Sequence, residues 1–558
     1  MNKIIAKNNK FLKDPILLFT ILLVILSLFL FIVLPLYEVF KQSIFDSVGK
    51  LTFEAYKGIF TSRVNIEAVK NTLILATTVG ITSTFIGYIF AYTEAYIKMR
   101  GKKIFNLIAL LPIISPPFAI SLSIILLFGS RGLITKELLK IQNFNIYGFQ
   151  GLVMVQTLSF FPMAYLLLNG VLKTIDPSME EASENLGGTR KDTFFKVTFP
   201  LTKSAIMNSF LLVFIKSISD FGNPIAIGGD YSTLAVQIYQ QALGNYDMAG
   251  AAALSMVLLD ISLILFILSK YYFDKKSYVT VTGKAAKKRE LIEDKVIRVP
   301  LNIFCGILSF IIMILYILIP IGSFIKLWGI NYSFTTEHYI YALNVGGKAI
   351  LDTVIFSVMA APVTGILAII ISFLIVRKRF IGKNFIDFTS ILGIAVPGTV
   401  IGIGYVLAFN TPPIVLTGTA TIIVIAFIAR TIPVGIKSGI NTLQQIDPAI
   451  EEAAQDLGAN SFKVFTTITL PMIKSAFLGG MVYSFIKSMT SLSAVIFLIS
   501  AKYNLLTIAV LDQVEVGKFG VASAFSTILI LIVYVVITVM QKIVNRQKGG
   551  KTAEILLS

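Results

Sequence analysis

Residue types that commonly catalyse reactions or bind metals are scarce in this chain, and its most prominent charges come in matched pairs. His338 is the single histidine and Cys305 the single cysteine of the 558 residues, which excludes a multi-histidine metal site, a cysteine cluster and an intramolecular disulfide. The scattered carboxylates do not form the clustered set that a membrane enzyme would need. The residues whose function has to be explained are therefore the charged residues that occur at matched positions in the two halves of the chain.

The two most prominent acidic pairs stand in the same local pattern, once in each half of the chain and without a gap between the two copies. Segment 176–187 reads Asp-Pro-Ser-Met-Glu-Glu-Ala-Ser-Glu-Asn-Leu-Gly, and segment 447–458 reads Asp-Pro-Ala-Ile-Glu-Glu-Ala-Ala-Gln-Asp-Leu-Gly. Asp-Pro is typical of a helix N-cap and first position, and the glutamates lie in the first turn, where the helix dipole favours acids. The final glycine can stop the helix in a left-handed conformation. Each segment predicts a short helix, a glycine break and a second amphipathic helix, and Pro200 or Pro471 then starts an apolar span.

The composition is that of a membrane protein. Hydrophobic residues make up 56% of the chain and charged residues 14%, with a mean hydropathy of +0.83. Apolar runs of about 18 or more residues predict membrane helices. The first run is too long for a signal peptide, and no small-residue cleavage site follows it. Twelve spans are predicted, at about 14–37, 70–97, 104–129, 149–174, 202–227, 248–270, 299–326, 348–376, 384–409, 413–441, 473–499 and 518–541.

Lysine and arginine predict the orientation of these spans. Basic groups precede span one, follow spans two, eight and twelve, and fill a central linker at 271–298. All five groups fall on one side if there are twelve spans, so both termini and both acidic segments are predicted to be cytoplasmic. The net charge of +18 then reflects cytoplasmic loops rather than nucleic-acid binding.

Further matched positions show that the whole chain is a duplication. One offset in the numbering pairs Asn71-Thr72 with Asp352-Thr353 and Pro116 with Pro397, and a second, shorter offset pairs Pro162 with Pro433 and Phe214-Ile215-Lys216-Ser217 with Phe485-Ile486-Lys487-Ser488. The shorter offset is also that of the two acidic segments, and the change between the offsets predicts a longer loop near 130–148 in the first half. Residues 1–270 and 299–558 are thus two parallel six-span halves, and a pathway is expected between them.

The acidic segments carry a family resemblance. In each half, Glu-Glu-Ala-x3-Leu-Gly lies between the fourth and fifth spans and is followed by a proline, Pro200 or Pro471, which resembles the EAA motif of ABC importer permeases. We call 176–200 and 447–471 the EAA segments. The resemblance covers essentially the full length and implies an all-α polytopic membrane protein of the type I importer fold, in the bacterial inner membrane.

The resemblance also implies partners. The EAA helices would seat in clefts on two cytoplasmic ABC ATPase subunits, which bind the ATP and Mg²⁺, and an extracytoplasmic binding protein would deliver substrate. The implied coupling residues are Glu180, Glu181, Ala182 and Gly187 in one half, and Glu451, Glu452, Ala453 and Gly458 in the other. The alternative is that the glutamates only charge a helix N-terminus and the glycines only cap it. The second copy has Gln455-Asp456 where the first has Glu184-Asn185, so the two contacts need not be equivalent.

This chain lacks a recognisable ATPase site and binds no cofactor of its own in this interpretation. No Gly-x4-Gly-Lys-Ser/Thr phosphate loop occurs. Gly346-Gly347-Lys348 lacks the first glycine and the hydroxyl residue, and Gly402-Ile403-Gly404 lies inside a span, so both are interpreted as packing or turn glycines. An ion-coupled secondary transporter is the other class considered, but it would carry more intramembrane acids and would not need two EAA segments.

The substrate is predicted from a narrower resemblance. Fused permeases of this size resemble the ferric-iron, thiamine and organophosphate branch. Residues 219–224, Ser-Asp-Phe-Gly-Asn-Pro, with Gly-Gly-Asp-Tyr at 228–231, are similar to the ferric-iron type within that branch. Ferric iron is therefore the first substrate, and a phosphorylated small molecule, such as a sugar phosphate or phosphonate, is the alternative.

Ionisable residues inside spans are candidates for the pathway because burying them in lipid is costly. Lys216 and Lys487 are predicted in the outer half of the bilayer, about 22 Å along their helices, facing each other. Two lysines favour an anion or a complexed metal over a bare trivalent cation. In the alternative, Lys216 pairs with Asp220, but Lys487 has Ser491 at that spacing.

Four more polar residues complete the pathway candidates. Asp260, in span six, either bonds to a neighbouring helix or contacts substrate. Arg430, in span ten, snorkels, pairs with an acid or lines an inner gate. Asp220 and Asn223 form either a helix stop or part of an outer gate. No metal site is predicted.

Overall fold

The computed structural model describes residues 15–46, 48–116, 118–141, 144–269 and 289–547. Within these ranges, ten helices are long and apolar enough to cross a membrane, or up to twelve if each of two bent pairs is one span. This agrees with the predicted all-α polytopic fold. Linker residues 271–288 and the predicted basic groups before residue 15 and after residue 547 lie outside the described residues.

The first half runs through eleven named helices. They are α1 (Pro15–Ile44), α2 (Glu54–Thr61), α3 (Arg63–Tyr96), α4 (Lys102–Ile114), α5 (Ala119–Phe128), α6 (Phe149–Thr174), α7 (Pro177–Asn185), α8 (Arg190–Ile218), α9 (Gly222–Ile227), α10 (Leu234–Tyr239) and α11 (Met248–Leu268). The long helices α3, α6 and α8 pack together, and α7 lies between α6 and α8 in the chain.

The second half follows the same order. Its elements are α12 (Lys295–Ser323), β1 (Ile325–Leu327), β2 (Asn331–Phe334), α13 (Glu337–Asn344), α14 (Gly347–Arg377), α15 (Lys383–Ala395), α16 (Gly398–Phe409), α17 (Ala420–Gln444), α18 (Ala449–Asp456), α19 (Phe462–Met472), α20 (Lys474–Met489), α21 (Leu506–Glu515) and α22 (Phe519–Gln547). Strands β1 and β2 form an antiparallel hairpin. We call the end of the bundle that carries α7 and α18 the EAA end.

Predicted spans three and nine are not single helices. The chain breaks between α4 and α5, and α15 and α16 meet at an angle of 116°. The matched residues Ser115 and Val396 are both extended, with ψ of 163° and 123°. A proline follows each, and proline disfavours the helical conformation of the residue before it. Apolarity continues through both breaks, which is why hydropathy predicted one helix.

The spans that follow the EAA segments also differ from the prediction. In the first half α8 is continuous through Pro200, with a π-helical turn at Phe194–Thr198 before the proline, and it ends at Ile218 rather than 227. In the second half the helix bends by 73° between α19 and α20, and α20 ends at Met489 rather than 499. Both helices therefore end inside the protein.

Close packing between α3 and α6, and between α14 and α17, depends on glycine. A Cβ at Gly87 of α3 would lie 2.9 Å from the Cβ of Ala164. In the matched contact the glycine is on the other helix, and a Cβ at Gly435 of α17 would lie 2.8 Å from the Cβ of Ala368. Small residues let membrane helices approach closely in this way, so each half builds the same scaffold.

The first span of each half packs on the other half. A Cβ at Gly404 of α16 would lie 2.9 Å from the main-chain oxygen of Pro35 in α1, and the Tyr405 hydroxyl donates to the Phe31 oxygen at 2.8 Å. Reciprocally, the Ser123 hydroxyl of α5 donates to the Leu315 oxygen of α12 at 2.6 Å. The two halves are therefore interlocked by exchanged helices.

Candidate coupling surface and translocation pathway

The EAA helices begin and end as the sequence predicts. Asp176 accepts a hydrogen bond from the Ser178 amide at 3.0 Å, and Asp447 accepts one from the Ala449 amide at 2.9 Å. The Ser178 amide holds the pKa of the Asp176 carboxyl below its ordinary value. Gly187 and Gly458 have φ of +85° and +87°, the left-handed conformation that ends a helix.

The first glutamate of the first EAA segment points into the protein. Glu180 Oε1 accepts hydrogen bonds from the Tyr96 hydroxyl at 2.7 Å and the Thr198 hydroxyl at 2.8 Å. Its other oxygen, Oε2, lies 3.1 Å from Nε of Arg289, which comes from the chain just before α12. Glu180 therefore ties α7 to α3, to α8 and to the start of the second half.

Glu451 occupies the same place in the second segment. Its Oε1 lies 3.1 Å from Arg377 Nε and accepts a hydrogen bond from the Thr469 hydroxyl at 3.1 Å. Arg377 also donates to the main-chain oxygens of Leu443 and Ile446, at 3.0 and 2.8 Å, where α17 leads into α18. The guanidinium thus satisfies helix-end carbonyls and the glutamate together.

The arginine that binds the inward-facing glutamate comes from a different part of the chain in each half. We call each arginine–glutamate pair a clamp. Arg377 ends α14, and the matched residue in the first half is Tyr96, which ends α3. Arg289 fills the gap: it lies 4.0 Å from the centre of the Tyr96 ring and donates to the oxygens of Leu172 and Ile175 at 3.0 and 2.9 Å. From the sequence, both arginines were interpreted only as positive charges that mark the cytoplasmic side. Their bonds to the two glutamates were not predicted.

The exposed residues of the EAA helices form a second, separate surface. Glu181, Ala182 and Gly187 are exposed, and so are Glu452, Ala453 and Gly458. Beside them, the matched residues Leu186 and Leu457 are 89% and 90% exposed. This side of each helix is accessible to a partner, whereas Glu180 and Glu451 face inward and bind Arg289 and Arg377. Partner contact for the exposed residues stays a prediction.

Three cationic residues near the boundary between the halves interact electrostatically. Lys216 and Lys487 lie in the last turns of α8 and α20, and the charges of Lys487 and Arg430 both act on Lys216. Lys487 Nζ donates to the Ile113 oxygen of the other half at 3.2 Å, and Arg430 Nη1 donates to the Val396 oxygen at 2.7 Å. That the two lysines face each other across a pathway stays a prediction. Arg430 joins them from α17, and its matched residue in the first half is Ser159.

Asp220 does not pair with Lys216. Its Oδ2 accepts hydrogen bonds from Gln156 Nε2 at 2.8 Å and from Asn223 Nδ2 at 2.7 Å. Ser121 donates to the Asn223 side-chain oxygen at 2.8 Å, and Ser217 donates to the Gln156 oxygen at 2.5 Å. The group is buried and its polar atoms are hydrogen-bonded within the protein, as a helix stop would be, while a part in an outer gate stays a prediction.

Loss of the Asn223 side chain is expected to lower the free energy of unfolding by about 1–3 kcal/mol, because Asn223→Ala leaves the buried Asp220 and Ser121 each short of a partner. Chemical denaturation in detergent would measure the difference. Asn410→Ala, at an exposed asparagine, is the control. An equal effect of both variants would contradict a stabilising role for the network.

The structure places Asp260 at the surface, and its contact with substrate stays a prediction. It is exposed on α11, on the face that also presents Ile264 and Ile267 to the exterior. No hydrogen bond or ion pair to it is found in the part of the chain that the structure describes. Groups of three or more His, Cys, Asp or Glu residues that could hold a metal ion are likewise not found among those residues.

The comparison with known families decides the class. The family described as "Binding-protein-dependent transport system inner membrane component" matches residues 83–277 and again residues 361–549. The chain belongs to this family. The permease is thus a multi-pass membrane protein and the translocation subunit of an ABC importer. Each of its two matched regions contains one EAA segment.

Similar curated proteins cover nearly the whole permease. It is 36% identical over 559 residues to the ferric transport system permease protein FbpB of Actinobacillus pleuropneumoniae, covering 98% of this chain and 81% of that one. It is also 36% identical over 513 residues to the putative ferric transport system permease protein FbpB 1 of Haemophilus influenzae, covering 89% and 80%. The putative 2-aminoethylphosphonate transport system permease protein PhnU of Salmonella typhi is 26% identical over 253 residues, covering 44% and 88%.

Proposed function

We propose that the permease imports ferric iron, which an extracytoplasmic binding protein delivers and ATP hydrolysis drives. The observation that supports this is the 36% identity, across 98% of the chain, to a permease named for ferric transport. In this proposal the EAA end and both termini are cytoplasmic, as the positions of the basic groups favour. ATP and Mg²⁺ bind to the partner subunits.

Two ATPase subunits would dock on the two EAA helices. Each helix presents an exposed leucine, alanine and glutamate beside a left-handed glycine, while its first glutamate is clamped to the membrane helices. A force applied to the exposed side of α7 or α18 is therefore transmitted directly to α3 or α14. This division between an exposed side and a clamped side is what coupling requires.

The substrate is tested by ATP hydrolysis in proteoliposomes that contain the permease, its ATPases and its binding protein. Ferric iron is compared with a panel of sugar phosphates and other organophosphates. We expect stimulation by iron. Stimulation by a phosphate ester alone would overturn the ferric proposal and keep the importer class.

A phosphorylated small molecule is the second candidate substrate, and a specific observation favours it. Lys216, Lys487 and Arg430 interact electrostatically near the boundary between the halves, and the described residues place no carboxylate in an ion pair with any of them. Positive charge attracts a phosphate ester and repels a bare trivalent cation.

Gly187→Asp and Gly458→Asp are expected to abolish transport while the permease still inserts into the membrane. Neither glycine has an atom within 4 Å of an added Cβ, and Asp tolerates positive φ better than most residues, so the fold should survive. The new carboxylate lies on the exposed surface that we assign to the ATPase. Uptake and membrane content would be measured for both variants.

The control for this experiment is Gly49→Asp. Gly49 also has positive φ, at +82°, with nothing within 4 Å of an added Cβ, but it lies in the loop after α1. Transport by this variant should remain close to that of the unaltered permease. Normal transport by both EAA variants would refute the assigned docking surface.

A further inference from the structure

Lys216, Lys487 and Arg430 are all half-buried, so each keeps some accessible surface. On α20 the half-buried residues Tyr483 and Lys487 follow each other at a spacing of four, while Phe485 and Ile486 between them are buried. On α8 the matched residues Leu212 and Lys216 are half-buried in the same way. On each of the two matched helices, a pair of half-buried residues one turn apart therefore ends at the lysine.

Among the described residues, no carboxylate forms an ion pair with Lys216, Lys487 or Arg430. Lys487 and Arg430 each donate to one main-chain oxygen, and no hydrogen bond to Lys216 is found in the described ranges. Asp220, the acid one turn beyond Lys216, accepts hydrogen bonds from Gln156 and Asn223 instead. Enclosed charge without a counter-charge is costly, so a cluster of this kind is suited to binding a ligand that supplies the missing negative charge.

The chemistry of the three groups selects the class of ligand. The Arg430 guanidinium presents a planar set of donors that matches an oxyanion, and the two ammonium groups add mobile donors from opposite halves. Arg430 also lies close enough to Tyr405 and Tyr483 for electrostatic interaction with both. Donors from α8, α17 and α20 would therefore meet on one bound group.

We propose that Lys216, Lys487 and Arg430 form an oxyanion site in the translocation pathway, so that the permease carries its substrate as an anion. The proposal rests on the importer function proposed above. It covers two sources of the same chemistry: a phosphate ester, or ferric iron enclosed by anionic oxygen ligands. Because the lysines belong to different halves, a movement of the halves relative to each other changes the distance between them. The site would thus hold an anion tightly in one state and release it in another.

Titration of the purified full-length permease in lipid nanodiscs with inorganic phosphate tests the site directly. Lys216→Gln/Lys487→Gln should weaken phosphate binding at least about tenfold, since two charge-assisted donors are lost. Lys216→Arg/Lys487→Arg should retain most of the affinity. Lys203→Gln/Lys474→Gln, an exposed pair at matched positions on the same two helices, should bind phosphate like the unaltered permease.

Uptake by the reconstituted complex distinguishes the two sources. One arm supplies ferric citrate and the other a sugar phosphate, each with the binding protein present. The glutamine pair should lower uptake of the transported substrate at least about tenfold, and the exposed control pair should not. Equal phosphate binding by the glutamine pair and the unaltered permease would overturn the oxyanion site. If the unaltered complex showed no binding-protein-dependent ATP hydrolysis, the proposed function would fail, while the phosphate titration would still decide the site.

Discussion

Arg377→Ala is expected to uncouple the second half and to destabilise the permease by about 3–5 kcal/mol, the usual cost of leaving one partner of a buried ion pair alone. Arg377 and Glu451 are 9% and 7% exposed, so solvent screens their interaction little. The variant also leaves the oxygens of Leu443 and Ile446 without their donor. Unfolding in detergent and substrate uptake would both be measured.

The matched variant in the first half is Arg289→Ala. It removes the same bonds to Glu180 and to two helix-end oxygens, together with the contact on the Tyr96 ring. We expect a loss of similar size and the same failure of transport. Removing the acid as well, in Arg377→Ala/Glu451→Ala, should recover part of the stability because no unpaired charge remains.

Arg63→Ala is the control for both arginine variants. Arg63 and Glu67 form an ion pair at 2.7 Å, but their side chains are 90% and 52% exposed, and exposed pairs contribute about 0–1 kcal/mol. If Arg377→Ala and Arg289→Ala destabilised the permease no more than this control, the clamp interpretation of the EAA helices would be wrong.

The second large effect is expected from Gly402→Val in α16. A Cβ at this position would lie 2.5 Å from the Ala494 oxygen and 2.6 Å from a ring carbon of Phe497. Overpacking of this kind typically costs about 1–3 kcal/mol, and here the main chain is one of the atoms that must move. We expect poor stability and weak transport, as measured by denaturation and uptake.

Gly170→Val is the matched control, because Gly170 also lies inside a long helix, α6, and has nothing within 4 Å of an added Cβ. The two variants share the same change in helix propensity, so their difference reports packing alone. Equal stability of both variants would show that α16 does not approach Ala494 closely. The result also bears on the sequence interpretation of Gly402 as a packing glycine.

The sequence predicted best those elements whose ends carry local signals. Span four was predicted at 149–174, and α6 is Phe149–Thr174, since Gly148 precedes it and Asp-Pro follows it. Spans three and nine were predicted without their breaks, because apolarity alone measures length and does not detect that Pro116 and Pro397 disfavour a helical residue before them.

The part of the candidate site that occurs at matched positions in both halves could be predicted from the repeat. The repeat pairs Lys216 with Lys487, and the structure places both in the last turns of matched helices. The repeat gives no second copy of Arg430, because the matched residue is Ser159. It also does not reveal the role of Arg289, which is needed because Tyr96 stands where the second half has Arg377. Those contacts join residues that are far apart in the chain, Arg377 with Glu451 and Arg289 with Glu180. A single sequence offers no local pattern for them. Matched threonines at 198 and 469 were the available signal.

The exchange of first spans has a mechanical consequence. Because α1 packs on α16 and α12 packs on α5, we expect the body that moves with the first EAA helix to combine most of the first half with the first helix of the second half. Arg289, which lies just before α12, adds a further bond from this part of the chain to Glu180 of the first half. The moving parts of the transporter are therefore composites, and a cut made at the centre of the chain would not separate them. Each piece would still hold a helix that belongs mechanically to the other.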